Sequence, residues 1–169
     1  MTAPLLKVED LRIALQGDGA SHDAVEKVSF EIGRGEAFGL VGESGCGKSI
    51  TALSVMGLLR RPLSVAGGRI VLDGVEIQDA SPAEWRRLRG KRIAMIFQEP
   101  MTSLNPVKTV GEQIAEAIRC HRPVGQGAAL ERAADLLDLV GIPGPRQRLA
   151  SYPHHMSGGM RLHQRIPCN

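Results

Sequence analysis

The stretch that decides the fold reads Gly42-Glu43-Ser44-Gly45-Cys46-Gly47-Lys48-Ser49. It matches the pattern G-x-x-x-x-G-K-[ST], which is informative only when a strand precedes it and a helix follows it. Residues 37–41 form a short apolar run that predicts a buried strand, and residues 50–60 carry the apolar face of a helix. The context that the pattern requires is therefore predicted on both sides of the loop.

The chemistry of such a loop is anion capture. Successive backbone N–H groups converge on phosphate, and the N-terminus of the following helix adds a partial positive charge. Gly45 and Gly47 let the backbone wrap closely because they carry no Cβ. We expect Lys48 to reach the β- and γ-phosphates of a nucleotide and the Ser49 hydroxyl to bind Mg²⁺. The alternative is a glycine-rich turn followed by a chance Lys-Ser pair.

Length and composition narrow the class of protein. The chain has 169 residues, 43% of them hydrophobic, which suits one domain or one domain with a small subdomain. Lys and Arg are interleaved with Asp and Glu, the net charge is +3, and aromatic residues make up only 3%, so no nucleic-acid partner is expected. No apolar run reaches the roughly 18 residues that a membrane span needs. The three cysteines show no metal-ligand spacing.

The residues around the loop predict a small antiparallel layer. Alternating apolar positions indicate strands over residues 5–15 and 24–32, joined as a hairpin. A third strand over residues 67–72 is followed by Asp73-Gly74, a strong hairpin turn into residues 75–77.

Further along the chain, Ser81-Pro82-Ala83-Glu84 is a capping box with proline at the first helical position, so a helix is expected to start there and to end near Gly90. Residues 93–97 predict a second buried strand, which delivers Gln98 at its C-terminal end, where α/β sheets bind their ligands.

The remaining residues have the spacing of amphipathic helices. Two apolar faces recur at helical intervals, one formed by Val110, Ile114 and Ile118 and the other by Leu130, Ala133, Leu137 and Val140. A link over residues 123–127 separates them, and Gly141 is expected to stop the second. Residues from about 101 onward are therefore predicted to form a helical subdomain.

A second motif completes the pattern: Ser157-Gly158-Gly159-Met160. Together with the glycine loop and Gln98, it resembles the nucleotide-binding subunit of an ABC transporter, with residues 42–49 as the Walker A loop, Gln98 as the Q-loop glutamine and residues 157–160 as the signature motif. Residues 96–106 and 152–154 resemble the dipeptide, oligopeptide and nickel importer branch of that family. The combination argues against another phosphate-loop enzyme such as a kinase.

The resemblance implies an α/β fold, with a P-loop NTPase (RecA-like) core, an N-terminal antiparallel β layer and a helical signature subdomain. The corresponding division of the chain is residues 1–100 for the core with its β layer, residues 101–161 for the helical subdomain, and residues 162–169 for a tail that does not match the family.

The resemblance also implies the ligands and partners. ATP is expected to bind the Walker A residues, Ile50 and Gln98, and Mg²⁺ is expected near Ser49 and Gln98. The Walker A residues are Gly42, Glu43, Ser44, Gly45, Cys46, Gly47, Lys48 and Ser49. Ile50 stands where the family often has Thr, and keeps only its backbone N–H for the α-phosphate. The signature residues Ser157, Gly158, Gly159 and Met160 are expected to face the ATP of a second ATP-binding subunit.

The family places such a subunit on the cytoplasmic face of the inner membrane, where the Gln98 loop would contact membrane-spanning permease subunits. The transported solute, whether peptide, nickel or glutathione, and the choice between a homodimer and a heterodimer stay open.

Departures from the family carry their own expectations. The Walker B carboxylates and the switch histidine have no counterpart here, so we expect a C-terminally truncated product with an incomplete sheet, no catalytic residue and negligible ATP hydrolysis. A non-catalytic nucleotide-binding or partner-binding module is the alternative function. The family stacks adenine on an aromatic ring near residues 19–22, where this chain offers only His22 or a plain turn.

Overall fold

The chain divides into two units in the computed structural model, Met1–Trp85 and Arg86–Asn169. The structure describes residues 3–17, 21–97 and 104–156. The predicted division at residues 100 and 161 stays a prediction, and the tail over residues 162–169 lies outside the described residues. Among the described residues, no helix is long and apolar enough to cross a membrane.

The first unit is built on an antiparallel sheet. Its strands within the described residues are β1 (Leu6–Gln16), β2 (Ser21–Ile32), β3 (Leu63–Leu72) and β4 (Val75–Glu76), in the spatial order β2-β1-β3-β4. The predicted hairpin is confirmed, since β1 and β2 pair antiparallel from Leu6 opposite Ile32 to Gln16 opposite Ser21.

The core of this sheet consists of buried aliphatic side chains, each of which contributes about 1.5–3 kcal/mol by leaving water: Val8, Leu11, Ile13, Val25, Ile70 and Leu72. The turn between β3 and β4 is also as predicted. Asp73 and Gly74 both have positive φ, 51° and 80°, which the tight turn between twisted strands requires.

The first helix, α1 (Lys48–Val55), is shorter than the prediction of a helix over residues 50–60. Gly57 ends it by adopting the left-handed conformation, with φ 61°. The amide of Gly57 donates to Ser54 O at 2.9 Å and the amide of Leu58 donates to Leu53 O at 2.8 Å, the two hydrogen bonds of a Schellman cap. The glycine was a stop signal that the sequence-based prediction overlooked.

The predicted capping box at the next helix, α2 (Pro82–Leu88), is confirmed. The Ser81 amide donates to the Glu84 carboxylate at 2.7 Å, and the Glu84 amide donates to the Ser81 hydroxyl at 3.3 Å. Two orphan donors of the helix N-terminus are thereby satisfied.

The two predicted buried strands are wrong. Neither residues 37–41 nor residues 93–97 form a strand, and the second segment contributes only an isolated bridge between Arg89 and Ile93. Val41 is 92% exposed and Ile96 is 71% exposed. An apolar run expresses a tendency to be buried, but a strand exists only where a neighbouring strand accepts and donates its backbone hydrogen bonds. No described segment pairs with these two in that way.

Helices occupy the second unit from Val110 onward within its described residues, in the part of the chain predicted to be helical. Its helices are α3 (Val110–His121), α4 (Gln126–Leu139) and α5 (Pro145–Leu149), followed by a 3-10 turn over Pro153–His155. Gly141 stops α4 through a second Schellman cap: its amide donates to Asp138 O at 2.8 Å, and the Ile142 amide donates to Leu137 O at 2.9 Å.

Packing between these helices follows the predicted apolar faces. One buried cluster joins α3 to α4, and another joins both helices to the residues that follow them; the members are Ala115, Ile118, Ala129, Ala133 and Leu136 in the first and Val110, Leu137, Ile142 and Met156 in the second.

Candidate nucleotide-binding site

The glycine-rich loop over residues 42–47 leads directly into helix α1. Gly45 and Gly47 both lie in the left-handed region, with φ 86° and 89°, and the Cys46 amide donates to Glu43 O at 3.3 Å to close a turn. Residues with a Cβ rarely adopt this backbone, so the glycines are needed for the shape of the loop.

The base of the loop is held against the sheet. A Cβ built on Gly47 would come within 2.7 Å of Val25 Cγ2 and 3.2 Å of Ala24 O, so the Gly47 backbone packs directly on strand β2. Gly47 is buried, whereas residues 42–46 are exposed. The loop is thus fixed at its helical end and open to solvent along the rest of its length. No local signal in the sequence links Gly47 to Val25, so this contact is not predictable from the sequence.

Lys48 folds back over the loop. Its ammonium nitrogen lies 2.6 Å from Gly42 O, 2.5 Å from Glu43 O and 3.3 Å from Cys46 Sγ. Gly42 allows this close arrangement, since a Cβ built there would come within 2.6 Å of Cys46 Sγ. The charge of Lys48 is therefore held at the loop itself, where carbonyl oxygens partner it.

Backbone amides without an acceptor among the described residues lie where the loop becomes a helix. Within the described part of the chain, the amides of Gly45, Gly47, Lys48 and Ser49 donate no hydrogen bond. The first N–H groups of any helix have no intrahelical acceptor, and the macrodipole places partial positive charge at the same point. The site offers several unpartnered donors beside one ammonium group, which is an environment for an anion.

The residues after Lys48 differ in their availability. Ser49 is exposed, and its hydroxyl makes no hydrogen bond to any described residue. Thr51 is buried, and its hydroxyl donates to Gly47 O at 3.0 Å, alongside the Thr51 amide at 2.8 Å. Thr51 therefore stabilises the helix start, Ser49 faces solvent, and Ile50 is half-buried.

The segment before the loop is held by an aromatic contact rather than by a strand ladder. Phe38 stacks on Phe30 of strand β2, with ring centroids 5.0 Å apart and planes within 13° of parallel. Phe38 nevertheless remains 43% exposed. This contact fixes the approach of the chain to the loop at Phe38.

The other predicted site residues lie outside the described residues. These are Gln98 and the signature residues Ser157, Gly158, Gly159 and Met160. His22, the candidate adenine partner, lies in strand β2 opposite Leu15 and is exposed. The structure therefore describes the predicted Walker A residues, and the roles of all the predicted site residues stay predictions.

The geometry of the loop fits the terminal phosphates of a nucleotide. The free amides and the Lys48 ammonium supply donors and positive charge, and the exposed Ser49 hydroxyl supplies an oxygen ligand of the kind that Mg²⁺ prefers. Glu43 contributes the only carboxylate of the eight-residue motif, and it is exposed.

Comparison with protein families gives one family, described as ABC transporter, whose model matches residues 25–167. Among curated proteins, a probable peptide ABC transporter ATP-binding protein of Sinorhizobium fredii is 49% identical over 158 residues, which make up 93% of this chain and 47% of the relative. A dipeptide transport ATP-binding protein of Bacillus subtilis is 48% identical over 96% of this chain and 48% of its own length.

A glutathione import ATP-binding protein of Salmonella choleraesuis is 49% identical over 93% of this chain and 26% of its own length. The chain thus spans about half the length of the peptide and dipeptide relatives, and about a quarter of the glutathione relative.

Solved structures show the fold. A dimeric ATP-binding cassette in a post-hydrolysis state, bound to ADP and Pi, superposes with a TM-score of 0.77 at 20% identity, covering 96% of this chain and 68% of that chain. An ATP-binding subunit of an ABC transporter superposes with a TM-score of 0.68 at 29% identity, covering 97% and 60%. The predicted fold class, that of the ABC cassettes, is confirmed.

Proposed function

Because the chain belongs to the ABC transporter family, we propose that residues 42–49 hold the phosphates of ATP and that the chain is the ATP-binding part of a subunit that energises solute import. The observation that carries this proposal is the set of unpartnered amides at the start of helix α1 beside the Lys48 ammonium. Desolvated anions are stabilised by that combination of oriented N–H groups and one fixed cation.

The roles of the individual residues follow from where they lie. Gly45, Gly47, Lys48 and Ser49 would donate their backbone N–H groups to phosphate oxygens. The Lys48 ammonium would exchange the carbonyls of Gly42 and Glu43 for phosphate, since both carbonyls are exposed to water and lose little. The Ser49 hydroxyl would ligate Mg²⁺, and we propose Gln98 as a second residue near the metal. The chemistry that Mg-ATP supplies is a phosphoanhydride bond whose cleavage can drive a conformational cycle.

The proposed solutes are peptides or related compounds. The support is the printed names of the relatives, which include peptide, dipeptide and glutathione importers, at 48–49% identity over more than nine-tenths of this chain.

The proposed partners are a second ATP-binding subunit and membrane-spanning permease subunits. The signature residues would face ATP held by the second subunit, and the loop at Gln98 would contact the permease. Two solved cassettes that share the fold are dimers, which supports the first partner. A subunit in such an assembly would work at the cytoplasmic face of the inner membrane.

Turnover requires a carboxylate that polarises the attacking water, and the sequence bears on this step. No Asp or Glu follows Asp138, so the 169 residues place no carboxylate beyond the signature motif. We therefore propose that these residues by themselves bind Mg-ATP and hydrolyse it no faster than background. A nucleotide-binding module without turnover stays the second candidate function.

Titration calorimetry with Mg-ATP tests the binding proposal. Lys48→Ala is expected to weaken the affinity at least tenfold, on the order of the loss of one charge-assisted contact. The matched control is Lys7→Ala, which removes a half-buried lysine of the same unit that is ion-paired with Glu9 and Glu31. Equal affinity in the Lys48 and Lys7 variants would contradict the proposal.

Phosphate release separates the two candidate functions. Hydrolysis by the 169-residue chain well above that of Lys48→Ala would show that the catalytic machinery is complete within these residues. Binding without hydrolysis would support the module.

A further inference from the structure

The second unit carries a concentration of positive charge that the ATP site does not use. Residues 86–92 contain five basic residues and no acidic one: Arg86, Arg87, Arg89, Lys91 and Arg92. A second basic segment, residues 119–122, ends helix α3 with Arg119, His121 and Arg122, again without an acidic residue.

The fold places these two segments side by side. A Cβ built on Gly90 would come within 2.9 Å of His121 Nε2, so the backbone of the first segment lies against the imidazole of the second. Gly90 has φ 79°, and its amide donates to Ile93 O at 2.9 Å, while the Arg92 amide donates to Leu88 O at 2.8 Å. The turn after helix α2 is therefore a fixed structure that joins the two segments into one surface.

Most of the cations on this surface have no counter-charge. Arg86, Arg87, Lys91 and Arg122 are exposed, and none of the described carboxylates forms an ion pair with them. Arg119 donates to the neutral Gln126 side chain at 2.8 Å. We call these five residues, Arg86, Arg87, Lys91, Arg119 and Arg122, the basic surface.

Three other cations of the same unit are paired. Lys108 lies 2.7 Å from Glu116, Arg146 lies 2.8 Å from Glu131, and Arg132 lies 3.8 Å from Asp135. Within the described residues of the unit, unpaired cations are therefore concentrated on the basic surface, although Arg148 of helix α5 also lacks an ion pair.

Favourable interaction with the helix macrodipoles accounts for only some of the basic residues on this surface. Basic residues in the last turn of a helix interact favourably with its macrodipole, which explains Arg86, Arg87 and Arg119. Arg122 is the C-cap of helix α3 and is explained in the same way, whereas Lys91 lies beyond the end of helix α2 at Leu88, where that effect has weakened. Charge is thus maintained at Lys91, on the turn after helix α2, where the helix does not require it.

We propose that the basic surface binds the anionic headgroups of a phospholipid membrane. Its cations are exposed and spread over two segments, which suits a planar anionic surface better than a single anion in a pocket. Residues 86–92 and 119–122 contain no Phe, Tyr or Trp for base stacking, which disfavours single-stranded nucleic acid. The proposal depends on the proposed function in one respect, which is that an import subunit works beside a membrane.

Co-sedimentation with vesicles tests this proposal on the full chain. Binding is expected to vesicles that contain phosphatidylglycerol in phosphatidylcholine, and to be absent with phosphatidylcholine alone. It should fall steeply when salt is raised from about 0.05 M to about 0.3 M, because the interaction is screened beyond the Debye length. The triple variant R86Q/R87Q/R122Q should weaken binding on the order of 100-fold, from the loss of three charges near the surface.

The matched control is K108Q/R132Q/R146Q, which removes the same charge from paired cations of the same unit. Binding by the control close to that of the unsubstituted protein supports the proposal, provided that circular dichroism is the same for both triple variants. Equal losses in the two variants would overturn it, because only net charge would then matter. No binding to anionic vesicles, or stronger binding to a DNA duplex than to vesicles at matched phosphate concentration, would also overturn it.

Calorimetry with Mg-ATP on the same preparations separates this proposal from the function proposed above. Loss of vesicle binding with unchanged ATP affinity is expected for R86Q/R87Q/R122Q. A chain that binds anionic vesicles but not ATP would leave the basic surface standing while contradicting the proposed function.

Discussion

The indole of Trp85 lies directly against the backbone of Gly57, so that a Cβ built on the glycine would come within 2.3 Å of Cε2 and 2.4 Å of Cζ2. Gly57 ends helix α1, which starts at the candidate ATP site, and Trp85 is buried in helix α2. The contact ties the end of one helix to the other within the first unit.

Gly57→Ala should therefore lower the free energy of unfolding by about 2–4 kcal/mol. A methyl group would meet the Trp85 ring, at a cost of about 1–3 kcal/mol, and would also strain the positive φ. Urea unfolding followed by Trp85 fluorescence measures the change. Gly35→Ala is the control, because Gly35 also has positive φ but no atom within 4 Å of a built Cβ. If both variants lose the same stability, the Trp85 contact does not restrict this position.

Gly47→Ala should destabilise the protein more than Gly45→Ala. The two glycines have nearly the same φ, 89° and 86°, but only a Cβ on Gly47 would meet other atoms, namely Val25 Cγ2 at 2.7 Å and Ala24 O at 3.2 Å. The difference in the free energy of unfolding should be about 1–3 kcal/mol. Adding Val25→Ala should recover part of it, since the two sites are in contact. Additive losses in the double variant would argue against the contact.

Gly111 and Gly127 are each the second residue of a helix, α3 and α4, and should respond oppositely to alanine. A Cβ on Gly111 would lie 2.8 Å from Leu149 O and 2.9 Å from Leu149 Cβ, whereas a Cβ on Gly127 would meet nothing within 4 Å. Gly111→Ala should cost about 1–3 kcal/mol, and Gly127→Ala should add about 0.5 kcal/mol through helix propensity. Thermal unfolding of both variants shows whether each substitution raises or lowers the stability. Changes in the same direction would contradict the packing of α5 on α3.

The start of helix α3 should lose stability in acid. The amide of Thr109, and then its hydroxyl, donate to the Glu112 carboxylate and hold the pKa of Glu112 below its usual value. Because the pKa of Glu112 is lower in the folded state, its contribution to the free energy of unfolding is complete above the unfolded pKa of about 4.3. This contribution disappears as the pH falls through the folded pKa. The free energy of unfolding, measured from pH 7 to pH 3, should therefore decline from about pH 4 downward.

Two variants isolate this capping interaction. Thr109→Ala should cost about 1 kcal/mol at pH 7 through loss of the N-cap oxygen. Glu112→Gln should remove the part of the acid-dependent decline that Glu112 supplies. An acid profile of Glu112→Gln identical to that of the unsubstituted protein would show that the decline has another source.

Local signals in the sequence predicted local structure well. The capping box at Ser81 and Glu84, the positive-φ turn at Asp73 and Gly74, and the helix stop at Gly141 all depend on hydrogen bonds within a few residues. Gly57 is a stop signal of the same kind. The prediction of a helix over residues 50–60 does not use it, so the predicted helix extends too far.

The apolar runs at residues 37–41 and 93–97 were predicted to be strands, and neither is one in the structure. Apolar character predicts burial, while a strand requires a partner at hydrogen-bonding distance, and the choice of partner is a long-range matter. The apolar patterns likewise do not predict the stacking contact between Phe30 and Phe38, although both residues belong to them.

The sequence by itself determined the chemistry of the glycine loop, the family and the periodicity of the helices, because each is expressed in the spacing of residues along the chain. Only the tertiary structure decided that Gly47 packs on Val25, that Gly57 packs on Trp85 and that the segment at Gly90 meets His121. These contacts join residues distant in sequence. They are selected by shape and volume once the chain is folded, and no short-range pattern encodes them.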